Sequence, residues 1–65
     1  MNWDRIQGNW TQFKGKVREH FGELTYDDLA EAEGNREQLI GKVQERYGIA
    51  KQEAEAKVDE LAAQL

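Results

Sequence analysis

The segment GNWTQFKGKVREHFG, residues 8–22, returns almost intact as GNREQLIGKVQERYG, residues 34–48. Gly8, Asn9, Gln12, Gly15, Lys16, Val17, Glu19 and Gly22 of the first copy fall on identical residues of the second, and most other changes keep their character. Apolar residues in and around the first copy, namely Trp3, Ile6, Trp10, Phe13, Val17, Phe21 and Leu24, recur at steps of three and four. At about 100° per residue that spacing holds them on one face of a helix. Proline and serine are absent and helix formers dominate, so the chain reads as all-α.

Working outward from the repeat predicts four helices. The first runs over about 3–20, with Asn2 as N-cap, Asp4 in the first turn and Gly22 as a left-handed C-cap. Thr25 opens the second, about 26–33, with Asp28 in the reciprocal capping position and Leu24 set to staple onto Leu29. Gly34 ends it. Asn35 and Gln38 repeat the opening signal for the third helix, about 36–47, which presents Leu39, Ile40, Val43 and Tyr47 and stops at Gly48. The fourth, about 51–64, carries Ala54, Val58, Leu61 and Leu65, with Ala50 as a poor cap. The chain is thus one small four-helix domain, 1–65, built of two helix–Gly–helix hairpins, 8–33 and 34–65. Neither hairpin has a wide enough apolar face to bury alone, so two related ones closing about a local twofold axis would share a core.

A 65-residue chain buries only about 60% of the surface it exposes when unfolded, so that core is thin. There is no cysteine, hence neither a disulfide frame nor a thiolate zinc site to reinforce it. The opening MNWDRIQGNW lacks the basic-then-apolar run of a signal peptide, and no 18 apolar residues run together, which reads as a soluble cytoplasmic protein with no membrane span.

Charge divides along the repeat. Residues 1–22 carry four bases against two acids, residues 23–34 five acids and no base, residues 35–52 four bases against two acids, and residues 53–65 four acids against one base. Each unit is a basic helix followed by an acidic one. The plain reading is that the two arms of each hairpin attract one another. The functional reading makes the basic arms an anion-binding face, and Lys14, Gly15, Lys16, Arg18, Gly41 and Lys42 are the candidate interaction-surface residues. Gly15 and Gly41 belong there because mid-helix glycine costs about 1 kcal/mol relative to alanine. Either another backbone approaches closely or a partner uses the surface.

No residue cluster names a reaction. His20 is the sole histidine and has no Ser or Cys to form a triad with, the carboxylates are spread along helices without metal-ligand spacing, and no strand precedes a glycine-rich loop. Catalytic residues, metal and cofactor are all read as none. The stretch YGIAKQEAEAKV, residues 47–58, is similar to the turn and second helix of a helix-hairpin-helix unit, but Ala50 replaces its second glycine, Leu24 does so in the first copy, and the following helices are acidic. With a net charge of −4, this disfavours nucleic acid as the partner. Trp3, Trp10, Phe13 and Phe21 opposite Arg5, Lys14, Lys16 and Arg18 would also suit an interfacial helix, yet the same aromatics are the largest groups the core has, and core is the preferred reading.

The order Trp10, Lys14-Gly15-Lys16, Phe21-Gly22, Leu24-Thr25, Asp27-Asp28-Leu29, then Gly34, Gln38, Leu39, Gly41, Lys42, Gln44, Tyr47 and Gly48, resembles the CsbD-like family of small bacterial stress-response proteins. The resemblance covers nearly the whole chain. Where the family usually has a second Trp this chain has Phe21, still aromatic. The resemblance implies a compact four-helix domain similar to the orthogonal hairpins of sterile-alpha-motif (SAM) domains, and a protein that accumulates under stress. It brings no catalytic motif and no defined activity. The expectation is a non-enzymatic protein acting through its surface on an unidentified protein partner or as a hydrophilic protectant, as a monomer or weak homodimer. A nucleic-acid- or membrane-associated module using the basic faces of the first and third helices is the alternative.

Overall fold

A computed structural model describes residues 3–64. Asn2 and Leu65, expected as a cap and a stripe residue, lie outside the described residues. The fold is all-α, with five helices rather than four: α1 Trp3–Gly8, α2 Trp10–His20, α3 Tyr26–Ala32, α4 Arg36–Tyr47 and α5 Lys51–Ala62. No strand occurs among the described residues.

The expected first helix is broken at Asn9, whose φ and ψ are −115° and 33°. Gly8 and Asn9 are weak helix formers, and an asparagine amide competes with the backbone for its own hydrogen bonds. Here Nδ2 of Asn9 donates to the Arg5 carbonyl at 3.1 Å, while its backbone N–H reaches the carbonyls of Arg5 and Ile6 at 3.0 and 3.1 Å. In one straight helix residues 3 and 13 would stand about 15 Å apart along the axis. The break instead brings the Trp3 and Phe13 rings edge to face with centroids 5.7 Å apart.

Phe21, with φ −115° and ψ 78°, closes α2 by donating to the Val17 carbonyl. The left-handed cap expected at Gly22 does not form, since positive φ occurs only at Gly34 and Gly48 among the described residues. The chain leaves α2 instead with the Leu24 N–H returned to the Phe21 carbonyl at 3.1 Å, which puts both Phe21 and Leu24 in the core. Thr25 and Asp28 form the reciprocal capping box, each accepting the other's backbone N–H at 3.1 Å. Asn35 caps α4 by accepting from Gln38 N–H at 3.0 Å, and Gly48 ends that helix at φ 63°. The bounds of α4 are those expected, whereas α3 and α5 stop at Ala32 and Ala62, short of the expected 33 and 64.

One core joins all five helices. Ile6, Trp10, Phe13, Val17, Phe21 and Leu24 come from the first half, Leu29 and Ala32 from α3, Leu39, Ile40 and Val43 from α4, and Ala54, Val58, Leu61 and Ala62 from α5. Trp3 packs against it half-buried. Trp10, Phe13 and Phe21 are thus core residues, with Trp3 packed against them. Tyr47, expected among the apolar stripe of α4, remains 38% exposed. α4 is central, packed along α3 on one side and α5 on the other, and α2 meets α5 more loosely.

Candidate interaction surface

The cations of α4 are engaged inside the molecule. Arg46 grips Asp28 of α3 with both arms of its guanidinium, Nε to Oδ2 at 2.8 Å and Nη2 to Oδ1 at 3.1 Å. Lys42 donates to Glu31 and lies 3.9 Å from Asp28. Arg36 makes a second fork to Asp59 of α5, at 2.9 and 2.8 Å, with Glu55 at 3.7 Å and Glu37 at 3.3 Å. Planar two-point pairing of this kind is stronger and more directional than a lysine contact.

Asp28 is the centre of that network. It is 4% exposed, and among the described residues no other charged or polar side chain is buried. The guanidinium of Arg46 and the Thr25 N–H favour its ionised form over the opposing effect of burial, and hold its carboxyl down at about 2. Arg36 likewise lowers the Asp59 carboxyl, and the Asp28, Glu31 and Asp59 carboxylates raise Arg46, Lys42 and Arg36 in turn.

α2 differs. Lys14, Lys16 and Arg18 are half-buried and form no ion pair with a carboxylate among the described residues. Arg18 donates to the Leu24 carbonyl and places its guanidinium 4.5 Å from the centre of the Tyr26 ring, with the Lys14 ammonium 6.0 Å from the same ring. Tyr26 itself is 64% exposed, so its outer face stays open to solvent. The attraction expected between the arms of each hairpin therefore holds for α4 and α5, through Arg36, whereas α3 directs its carboxylates to α4 of the other copy.

Of the six candidate residues, Lys14 and Arg18 are brought together over Tyr26, and Lys42 is committed to Glu31 and Asp28. Gly15 and Gly41 are exposed, and a Cβ added at either would meet nothing within 4 Å. No neighbouring backbone within the chain requires them. A glycine that sequence reasoning took for a simple stop is the crowded one, by a side chain: a Cβ on Gly34, at φ 73°, would lie 2.7 Å from Cγ of Gln7 in α1.

Two features escaped the sequence reading. One is Tyr26 as the partner of Lys14 and Arg18, foreshadowed only by the i, i+4 spacing of the two cations. The other is a cleft of about 270 Å³ lined by His20, Phe21, Tyr47, Ile49, Glu53 and Lys57, where the end of α2 meets α5. The Tyr47 hydroxyl accepts the Glu23 N–H at 3.2 Å beside it, and the Phe21 and Tyr47 rings meet with centroids 6.0 Å apart. Among the described residues no helix is long and apolar enough to cross a membrane, and no group of three or more His, Cys, Asp or Glu is placed to hold a metal ion.

A family model described as CsbD-like matches residues 4–56. The chain is similar to UPF0337 protein YjbJ of Escherichia coli O6:H1, with 59% identity over 59 residues covering 91% of this chain and 86% of that protein. It is 57% identical over 60 residues to UPF0337 protein RPA4217 of Rhodopseudomonas palustris, covering 92% and 91% of the two chains. UPF0337 protein ECA0631 of Pectobacterium atrosepticum is 57% identical over 58 residues, 89% of this chain and 84% of its own. No solved structure gives a match.

Proposed function

This chain belongs to the CsbD-like family, and on that premise we propose that it is a non-enzymatic, cytoplasmic stress-response protein that acts through its surface on a protein partner. The observation that carries this reading is the uneven use of its cations. Arg36, Lys42 and Arg46 of α4 are bound to carboxylates of α3 and α5, while Lys14, Lys16 and Arg18 of α2 have none among the described residues. A hydrophilic protectant would need only its composition, whereas a surface that recognises something needs particular groups held in place and unpaired. We read the two copies as hairpins closing about an approximate twofold axis in the manner of SAM domains, so that α3 on α4 and α5 on α2 are corresponding packings.

Survival of a deletion strain under osmotic or stationary-phase stress tests the reading. Complementation by the wild-type chain and failure of a folded Lys14→Gln, Lys16→Gln, Arg18→Gln variant is the expected result. Full protection by that variant would leave bulk hydrophilicity as the explanation and refute action through this surface. The stacking of Lys14 and Arg18 on an exposed Tyr26 favours a second reading, association with nucleic acid through stacking and phosphate contacts. It is weakened by the internal neutralisation of α4. Titrating a short DNA duplex against Trp3 and Trp10 fluorescence at low and near-physiological salt decides it, a saturable and salt-weakened change being required.

A further inference from the structure

In the gapless register of the repeat, Val17 falls on Val43, Ala32 on Val58 and Asp28 on Ala54, all buried, while the buried Leu29 falls on the half-buried Glu55. The same register exposes an asymmetry. Asp28 and Glu31, which hold Arg46 and Lys42, fall on Ala54 and Lys57, while Arg46 and Lys42 fall on His20 and Lys16. One seam, α3 on α4, has carboxylates facing cations. The other, α5 on α2, has a buried alanine and a lysine where the carboxylates would be. No ion pair joins Lys16, His20 or Lys57 to a carboxylate among the described residues.

The packing follows the charge. α3 lies closely along α4, whereas α5 approaches α2 loosely and the cleft opens at the end of that seam. Its wall is apolar, formed by Phe21, Tyr47 and Ile49, and His20 and Lys57 stand at its sides. Among the described residues Glu53 is the one carboxylate lining it, and it pairs with neither. The seam thus lacks the anionic groups that its counterpart supplies to its cations, and a cleft stays open at its end.

We infer that the α2–α5 seam is the docking site of an acidic peptide segment of a protein partner, whose carboxylates meet Lys16 and Lys57 and whose adjacent apolar side chain enters the cleft against Phe21, Tyr47 and Ile49. The inference rests on the protein-partner reading above and adds the chemistry of the partner. Complementary charge sets the register of the segment, and the apolar side chain supplies the buried contact. A small cleft of this size takes one side chain rather than a folded surface.

The test is a titration of the full chain, labelled with nitrogen-15, with the acetylated, amidated peptide EELFEE at near-physiological salt, read by amide chemical shifts. Saturable shifts concentrated at Phe21, Tyr47, Ile49 and Lys57 are expected, with the QQLFQQ peptide about tenfold or more weaker. Lys57→Glu, at an exposed and unpaired position, should weaken EELFEE binding by about tenfold while the protein stays folded by circular dichroism. Equal affinity for the two peptides, or unchanged binding by Lys57→Glu, would overturn the inference. Shifts centred on Lys14, Arg18 and Tyr26 would also overturn it while leaving the protein-partner reading intact. No shift at millimolar peptide would refute the acidic partner, and the survival assay then judges the broader reading on its own.

Discussion

Replacing both Gly15 and Gly41 by alanine should make this protein more stable, and the size of the effect can be worked from the structure. Both lie in helix interiors, both are exposed, and beyond the adjoining residues and the backbone of their own helix neither has an atom within 4 Å of where a Cβ would sit. Nothing is displaced, so only the helix-propensity difference remains, about 1 kcal/mol at each site, arising largely from the freedom glycine retains in the unfolded chain. The sites are on different helices, α2 and α4, so the gains should add to about 2 kcal/mol. For a domain of this size that raises the melting temperature by roughly 8–16 °C. Urea and thermal unfolding followed by circular dichroism at 222 nm measure it directly. An unchanged or lower stability would refute the reasoning, because it would mean that a contact in the folded state depends on the missing Cβ. If the stabilised variant also lost stress protection, the two glycines would be contact points for a partner, as their place among the candidate surface residues requires.

Three further predictions separate the roles assigned above. Gly34→Ala should cost on the order of 2 kcal/mol and Gly48→Ala about 1, since both have positive φ but only Gly34 has the Gln7 side chain against it, at 2.7 Å; equal losses in urea unfolding would remove the steric contribution. Thr25→Ala should lose about 1 kcal/mol by deleting one half of the capping box, read in the same unfolding experiment. Stability should also fall with acid through Asp28. Its folded carboxyl is held at about 2, below the ordinary 3.8, so its contribution is complete above about pH 5 and disappears as pH falls through about 2. The amount is on the order of 2 kcal/mol. Asp28→Asn should flatten that part of the profile, and a profile unchanged by Asn would show that Asp28 is not the group responsible.

Much of the fold was legible because the punctuation is local. Asn35 with Gln38 and Gly48 fixed both ends of α4, and Thr25 with Asp28 fixed the start of α3, each through hydrogen bonds spanning one helical turn. The break at Asn9 was not legible from periodicity. Ile6 and Trp10 are a normal step of four, and a hydrophobic stripe records which face is buried without recording the direction of the axis. Gly22 misled for a related reason: the need to bury both Phe21 and Leu24 set the path out of α2, and the glycine never entered the left-handed region. The charge network was half legible. Alternating basic and acidic helices implied attraction, but only three-dimensional packing determines that α3 serves α4 rather than α2. The α2–α5 cleft lies between residues distant in sequence and had no local signal at all.

The contact between Gln7 and Gly34 has a consequence for how this chain can vary. Gln7 precedes the repeated segments, which begin at Gly8, yet it rests against Gly34, where the second one opens. In a duplicated protein the junction of the two copies is the natural place for spacers to accumulate, since each copy keeps its own internal contacts. Here an insertion at that junction would disturb the seat of Gln7, while α1 keeps its own anchors in the buried Ile6 and in Trp3 against Phe13. The two segments are alike in sequence, yet the joint between them is no free spacer: a change of length at Gly34 would reach Gln7 in the first helix.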